Sequence, residues 1–236
     1  MIDNTNKTII FDFGNILLGL DYKVRFDAFY EVLGIDFAKG LPQKTKQHLF
    51  RYEKGEINTE SFLWHLQQYS PSAEIRDIIS AWNSLLIPVP QYRFDMIAAL
   101  RDRYNVTMLS NINDMHMQWI HSDLKKRLDI DDFRTQYFDK VFYSHLIGYR
   151  KPDANCYAYV QKELGIANGQ DILFIDDMQV NIDAAIKFGW RGVVHDPKEE
   201  ITDHIQSYLT EFNKDCLLYT SPSPRDQRGS RMPSSA

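Results

Sequence analysis

The chain has 236 residues, of which 44% are hydrophobic and 25% charged, and its formal net charge is −5. This length allows one sizeable core, or a core with a small second domain. The acidic balance, with no block of basic residues in the body of the chain, excludes nucleic acid from the expected partners. A polar N-terminus without a signal peptide, and no apolar run of membrane-spanning length, predict a cytoplasmic protein that does not enter a membrane.

The first predicted strand is the apolar run at residues 9–11, which is followed directly by Asp12. Continuous β-branched and aromatic runs suit strands that are buried on both faces of a parallel sheet. Ligands of open α/β sheets bind at the carboxyl ends of such strands. Asp12 is therefore predicted to lie at the edge of the sheet where a ligand binds.

Residues 20–87 are predicted to form a small helical bundle between the first strand and the rest of the sheet. Apolar residues recur there at helical spacing, and Gly34 and Gly55 stand where helices end. Pro88 and Pro90 then return the chain to the core. The apolar positions indicate four helices: Phe26, Phe29, Tyr30 and Leu33; Leu49, Phe50 and Tyr52; Phe62, Leu63 and Leu66; Ile75, Ile78, Ile79 and Trp82.

After this bundle the pattern alternates between helices and strands, which is typical of βαβ units and a parallel sheet. Further strand-like segments lie at residues 106–109, 141–143, 172–175 and 192–194. The fold class is therefore predicted as α/β, a Rossmann-like parallel sheet core with a small helical bundle inserted after the first strand. Residues 1–19 and 88–215 are assigned to the core domain.

Polar residues follow three of these segments: Ser110-Asn111, Lys151-Pro152 and Asp176-Asp177. Together with Asp12 they supply a nucleophile, a hydroxyl or amide donor, a cation and a metal carboxylate, which a phosphoryl-transfer site needs. Carboxylate oxygens are the preferred ligands of Mg²⁺, which usually takes one or two of them. The spacing along the chain thus predicts a magnesium-assisted site at the carboxyl edge of the sheet.

The order of Asp12, Ser110, Lys151 and Asp177 resembles the four motifs of the haloacid dehalogenase-like (HAD) hydrolase superfamily over roughly residues 7–197. Four motifs in the right order are specific, whereas any one of them alone would be weak. The segments FDFGN, LSN, GYRKP and FIDDMQVNI are most similar to the branch that includes α-D-glucose-1-phosphate phosphatases.

The resemblance implies that Asp12 is a nucleophile that forms an aspartyl phosphate and also ligates Mg²⁺. Asp177 is expected to ligate the metal directly, Asp176 to act beside it or through water, and Asn181 to orient the pair. The backbone carbonyl of Gly14 is a further expected ligand. The ordinary structural alternative for the acidic residues is capping of a turn or a helix.

Substrate binding is assigned by the same resemblance to Ser110, Asn111 and Lys151, with Lys151 also counted as catalytic. A hydroxyl and backbone N–H groups at a strand-to-helix turn bind phosphate well, although an ordinary N-cap uses the same geometry. Lys151 would neutralise the phosphate, whereas most lysines are merely solvated. The bundle at residues 20–87 is expected to be a cap over the site, with Tyr52, Glu53, Trp64 and Trp82 either facing the ligand or forming bundle core.

Gly14 departs from the family pattern, because most HAD phosphatases carry a second Asp two residues after the nucleophile. That Asp protonates the leaving oxygen, and general acid catalysis is typically worth ~10²–10⁴-fold. Its absence favours substrates whose leaving group needs little protonation, such as an anomeric sugar oxygen.

The sequence therefore predicts a monomeric, Mg²⁺-dependent phosphatase of a small phosphorylated metabolite, with a sugar phosphate as the expected substrate. Two alternatives remain open at this stage. A haloacid dehalogenase uses Asp without metal, and a non-catalytic binder of phosphorylated ligands would explain Gly14 as a mark of lost turnover. Paired Asp176 and Asp177 favour the metal-dependent enzyme.

The C-terminal segment 216–236 changes abruptly to Ser, Pro and Arg with no apolar period, which predicts disorder. The segment also resembles the translation of a transposon-based sequencing adapter, so we interpret it as assembly read-through; a natural Ser/Pro-rich tail is the alternative. Without this segment Cys156 is the only cysteine, which agrees with a reducing compartment.

Overall fold

The computed structural model describes residues 7–36 and 40–214. The predicted tail at residues 216–236 lies outside the described residues. The strands in chain order are β1 (Thr8–Phe11), β2 (Gly19–Leu20), β3 (Leu86–Ile87), β4 (Asn105–Ser110), β5 (Lys140–Tyr143), β6 (Ile172–Asp176) and β7 (Arg191–Val194). Five of them form a parallel sheet in the order β5-β4-β1-β6-β7, and β2 pairs with β3 in a separate antiparallel ribbon.

Helices connect the strands and form the inserted bundle. They are α1 (Tyr22–Leu33), α2 (Gln43–Glu53), α3 (Thr59–Gln67), α4 (Ile75–Asn83), α5 (Gln91–Arg101), α6 (Asp114–Leu128), α7 (Phe133–Tyr137), α8 (Ser144–Ile147), α9 (Ala154–Leu164), α10 (Gln179–Phe188) and α11 (Ile201–Lys214). Within the described residues, no helix combines the length and apolar character that a membrane span requires.

The register of the central strand brings the polar strand ends together. Phe11 of β1 pairs with Met108 of β4 on one side and with Ile175 of β6 on the other. The residue after Phe11 is Asp12, and the residue after Ile175 is Asp176, so the two carboxylates lie side by side at one edge. The Asp12 amide donates a hydrogen bond to the Ile175 carbonyl at 2.8 Å, which extends the pairing to that edge.

Both faces of the parallel sheet are covered by apolar side chains, as the unbroken apolar runs predict. Ile9 and Phe11 of β1 belong to the core on one face, and Ile10 belongs to the core on the other. The apolar face of α11 completes the first core through Ile201, Ile205, Leu209 and Phe212. The predicted α/β fold is confirmed, and the alternating strand faces hold the site edge rigidly from both sides.

The inserted helices have an apolar core of their own. Side chains of α1 to α4 form a separate cluster around Phe29, Phe62 and Trp82. The β2–β3 ribbon lies where the chain leaves and re-enters the sheet, with Gly19 paired to Ile87. The division into a core domain and a cap at residues 20–87 stays a prediction, and its ends coincide with this ribbon.

Residues that favour helix ends lie directly beside several of the helices. Gly34, Gly165 and Gly189 adopt left-handed conformations directly after α1, α9 and α10, and Asn58 caps α3 by accepting from the Ser61 amide. The predicted elements omit α6, α7, α8 and α11. These helices lie in segments for which no pattern was assigned, although α11 carries a regular apolar stripe that is buried in the first core.

Candidate active site

Lys151 is the centre of the polar cluster at the sheet edge. Its Nζ atom forms salt bridges with Asp12 Oδ1 at 2.8 Å and with Asp176 Oδ2 at 2.7 Å, and it donates a hydrogen bond to the Leu109 carbonyl at 3.0 Å. These partners follow or end the three central strands, and Lys151 is only 1% exposed. The ammonium group therefore joins β4, β1 and β6 at one point.

The charges of this cluster depend on one another. Burial would lower the pKa of Lys151, but the carboxylates of Asp12 and Asp176 outweigh that effect and raise it. Burial also raises the pKa of Asp12, against the opposing charge of Lys151. A buried lysine between two buried carboxylates stays protonated because each charge is compensated by the other.

Asp176 is held in a fixed orientation by several donors. Its carboxylate accepts from Asn181 Nδ2 at 2.9 and 3.0 Å and from the Met178 amide at 2.8 Å, in addition to Lys151. Asp176 is 0% exposed. The expected orienting role of Asn181 agrees with these contacts, and Asp176 is anchored more firmly than its neighbour Asp177.

Asp177 is half-buried and faces the pocket beside the cluster. Its Oδ2 atom accepts from Asn15 Nδ2 at 2.8 Å. Asn15 adopts a left-handed backbone conformation with φ of 59°, which Asn tolerates better than most residues. Burial raises the pKa of Asp177, while the hydrogen bond from Asn15 lowers it.

The three carboxylates form a group that can hold a metal ion. One oxygen each from Asp12, Asp176 and Asp177 lie within 4.8 Å of one another. An all-oxygen donor set of this kind suits a hard divalent cation such as Mg²⁺. The residues present therefore fit the predicted metal, and a cation there would also offset the repulsion between the carboxylates.

Ser110 and Asn111 lie at the end of β4, as predicted, and both line the pocket. The Asn111 side chain is engaged at both ends: Nδ2 donates to the Lys151 carbonyl and Oδ1 accepts from the Lys151 amide, each at 2.9 Å. Asn111 thus positions the Lys151 backbone. Its contact with substrate, like that of Ser110, remains a prediction.

Gly14 lines the same pocket, and the place of its missing side chain is already filled. A Cβ atom built at Gly14 would lie 2.9 Å from Leu20 Cδ1. A carboxylate at this position would therefore need Leu20 to move. The expected metal contact of the Gly14 carbonyl stays a prediction.

The opposite side of the pocket is built largely by the inserted helices. We call Arg25, Glu53, Trp82 and His116 the cap wall, and Asp12, Lys151, Asp176 and Asp177 the catalytic floor. All of these except the buried Asp176 line a cavity of about 250 Å³. This size suits a small ligand rather than a macromolecule.

Of the four residues of the inserted helices that the sequence proposed as facing the ligand, two line the pocket. Trp64 is 64% exposed and does not line the cavity, and Tyr52 is buried in the bundle core. Trp82 belongs to the bundle core and also lines the cavity. Glu53 lines the cavity as well. The histidine at position 116, to which no role was assigned, stacks on Trp82 with ring centroids 5.3 Å apart.

Sequence reasoning missed Arg25 and Arg150. Arg25, Phe29 and Leu33 are the buried residues of α1 and recur every four positions. A charged residue in line with an apolar stripe is the signal that was available. Arg150 directly precedes Lys151, and its guanidinium binds Glu53, with Nη2 at 2.9 Å from Oε2.

Comparisons with known proteins agree with this geometry. The family model for haloacid dehalogenase-like hydrolases matches residues 6–189. The chain belongs to the haloacid dehalogenase-like hydrolase family. The predicted family and fold are thereby confirmed, while the comparisons do not single out the glucose-1-phosphate phosphatase branch.

Relatives of this HAD hydrolase include one curated enzyme and several solved structures. D-ribitol-5-phosphate phosphatase of Bacteroides thetaiotaomicron is 26% identical over 188 residues, covering 78% of this chain and 89% of that protein. The HAD family enzyme bt-2542 of the same species, in complex with magnesium and inorganic phosphate, is 26% identical with a TM-score of 0.72, covering 84% and 98% of the two chains. A predicted HAD-like hydrolase of Porphyromonas gingivalis is 25% identical with a TM-score of 0.75, covering 86% and 97%.

Proposed function

We propose that this HAD hydrolase is a Mg²⁺-dependent phosphatase of a small, polyhydroxylated phosphate monoester, with Asp12 as the nucleophile. Phosphatase class and magnesium are the parts of this prediction that the relatives bear out. The substrate and the roles of single residues are our proposal. The observation that carries it is the buried contact of Lys151 with Asp12 and Asp176 beside Asp177.

In the proposed first step, a carboxylate oxygen of Asp12 attacks phosphorus. The new bond joins Asp12 to the phosphoryl group, and the bond from phosphorus to the leaving oxygen breaks. Lys151 keeps its proton and compensates the negative charge that Asp12 and the phosphoryl group bring together. Water then attacks phosphorus, the bond to Asp12 breaks, and inorganic phosphate leaves with Asp12 restored.

Asp12 and Asp177 would hold the magnesium ion, and Asp176 would position it through its fixed orientation. The bound ion supplies positive charge at the phosphoryl oxygens, where negative charge accumulates during transfer. Asn15 keeps Asp177 turned towards this position by the hydrogen bond described above.

The leaving group is the finer part of the proposal. Since position 14 carries no side chain, the leaving oxygen receives its proton from solvent, and rates should depend steeply on the pKa of the leaving alcohol. Aryl and anomeric phosphates are then hydrolysed faster than primary alkyl phosphates. The curated relative is named for a primary alkyl phosphate, D-ribitol 5-phosphate, so this preference is a point on which the two proteins can be compared.

The decisive experiment measures phosphate release from aryl, anomeric and primary alkyl phosphates, with Mg²⁺ and with EDTA. Metal-dependent release supports the phosphatase, metal-independent halide release from a haloacid supports a dehalogenase, and binding without turnover indicates a non-catalytic protein. A plot of log kcat/KM against leaving-group pKa then tests the finer proposal, for weakly bound small esters whose chemical step is rate-limiting. A flat plot would mean that another residue donates the proton.

Asp183→Asn is a matched control for Asp12→Asn in this assay. Asp183 is exposed on α10 and, within the part of the chain that the structure describes, accepts a hydrogen bond only from Gln179 on the same helix. Its substitution removes one carboxylate of the same chemistry outside the pocket. Loss of turnover in both variants alike would contradict a nucleophilic role for Asp12.

A further inference from the structure

Arg25 is a buried cation for which the described part of the chain provides no hydrogen-bonding partner. It lines the pocket and is 8% exposed. Its Nε atom is buried without a hydrogen bond, and no carboxylate within residues 7–36 and 40–214 forms a salt bridge with it. A guanidinium group that is removed from water without a partner is costly, and buried charges are normally paired.

Aromatic rings orient this guanidinium without satisfying its N–H groups. The Cζ atom of Arg25 lies 5.2 Å from the ring centroids of both Tyr22 and Trp82. Contacts of this kind are favourable and restrict the orientation of the group. They leave the donors of Arg25 available to an oxygen atom in the pocket.

Glu53 presents the complementary acceptor on the same wall. Arg150 Nε donates a hydrogen bond to Glu53 Oε2 at 3.1 Å, and Arg150 Nη2 lies 2.9 Å from the same oxygen in a salt bridge. No hydrogen bond to Oε1 is formed within the described residues. Burial raises the pKa of Glu53, and the charge and hydrogen bond of Arg150 act in the opposite direction. Because Oε2 is paired with the Arg150 guanidinium, the Glu53 carboxylate offers Oε1 as an acceptor.

We infer that Arg25 and Glu53 form the specificity subsite for the leaving group and recognise neighbouring hydroxyls of an uncharged polyol or sugar. Arg25 donates to one hydroxyl oxygen, and Oε1 of Glu53 accepts from a hydroxyl. This inference rests on the proposed phosphatase function and deepens it.

A hydroxylated leaving group satisfies both residues, whereas an anionic one satisfies only Arg25. Glu53 lies close enough for its charge to act on Arg25. A substrate carboxylate placed at Arg25 would therefore meet the repulsion of Glu53. Hydroxyl groups donate and accept at the same time, so vicinal hydroxyls match a wall that carries one fixed donor and one fixed acceptor.

The test compares three phosphate esters: ribitol 5-phosphate as a polyol, ribonate 5-phosphate with a carboxylate at the far end, and phenyl phosphate without hydroxyls. The variants are Arg25→Met and Glu53→Gln. Lys23→Met is the matched control, because Lys23 lies on the same helix with a side chain that is 84% exposed. Melting temperatures establish that each variant is folded.

For Arg25→Met we expect the loss of kcat/KM on ribitol 5-phosphate to exceed the loss on phenyl phosphate by about 10- to 100-fold, mostly in KM. Glu53→Gln should shift the same ratio in the same direction, and Lys23→Met should leave the ratio unchanged. If Arg25→Met does not fold, Arg25→Lys retains the charge but loses the planar fork, and the ratio should still fall several-fold.

Equal losses on the polyol and the phenyl ester would overturn the inference, as would a preference of the wild type for the ribonate ester. Hydrolysis of none of the esters with Mg²⁺ would instead refute the proposed function. Calorimetric titration with ribitol 5-phosphate then still decides the subsite: binding that is lost in Arg25→Met and kept in Lys23→Met supports it, and no binding to the wild type refutes it.

Discussion

The catalytic floor and the cap wall line the same pocket, but their charged side chains differ in how they are paired. In the floor, Lys151 contacts two carboxylates and a carbonyl, so its charge is balanced within the protein. In the wall, the described residues provide no such partner for Arg25 and no hydrogen bond to Oε1 of Glu53. Balanced charges suit a site that performs the same chemistry on every substrate. Polar groups that lack a hydrogen bond suit a surface that selects one substrate over another.

This contrast predicts that the floor tolerates no change in charge. Asp12→Asn should lower phosphate release by about a thousandfold or more, because the variant keeps the size of the side chain and loses the nucleophilic oxygen. Single-turnover release of phosphate measures the effect, with circular dichroism as the check that the fold is intact. Turnover close to that of the wild type by a folded Asp12→Asn protein would refute the covalent mechanism.

Lys151→Met tests whether the floor also stabilises the fold. Removing the ammonium leaves Asp12 and Asp176 buried without their cation, and we expect a loss of about 3–5 kcal/mol in the free energy of unfolding. Urea denaturation in EDTA measures it. Lys140→Met is the control, since Lys140 forms a half-exposed pair with Glu163 at 3.3 Å whose loss should be below about 1 kcal/mol. Similar losses in both variants would contradict the central position of Lys151.

Within the floor, substitution of Asp177 and substitution of Asp176 should have different effects. Asp177→Ala is expected to reduce activity by about 100-fold, more than Asp176→Ala does, with partial rescue of the less affected variant by excess Mg²⁺. Asp176→Ala should instead lower the melting temperature more, because Asp176 accepts from Lys151, Asn181 and the Met178 amide. Activity titrated with Mg²⁺, together with thermal melts, separates the two. Equal losses and an unchanged Mg²⁺ dependence would count against both assignments.

The stability of the protein should fall in acid because of His116 in the cap wall. Burial, with a smaller contribution from Arg25, lowers the pKa of His116 to about 3. The unfolded chain, with an ordinary histidine pKa near 6.5, binds the proton more readily below that pH, so stability is lost as the pH falls from about 6.5 towards 3. Between pH 7 and 5 this amounts to about 2 kcal/mol.

His116→Gln should remove this part of the pH dependence. Urea denaturation of wild type and variant at both pH values gives the difference, in which the other titrating groups cancel. An identical pH dependence in the two proteins would show that His116 does not titrate in this way.

The carboxylates of the floor could be predicted from the sequence because each of them ends or follows a strand that local composition identifies. The run ending before Asp12 and the run leading into Asp176 are continuous and apolar, and parallel strands of this kind place their carboxyl ends together. The order of the four motifs then assigned Lys151 to the site, although Lys151 follows helix α8 rather than a strand. The contact of Lys151 with the Leu109 carbonyl was not predicted.

The residues of the wall could be predicted from the sequence only in part, because they come from separate helices. Asp12, the carboxylate pair and the helix ends at Gly34, Gly165 and Gly189 follow from local pattern, since backbone conformation and strand burial depend on neighbouring residues. Whether Glu53 or Trp64 faces the pocket depends on how the inserted helices rotate and pack over the sheet. The same packing leaves Arg25 without a hydrogen-bonding partner among the residues that the structure describes. Only the tertiary structure decides this, because helical spacing gives the face of a helix but not what lies opposite that face.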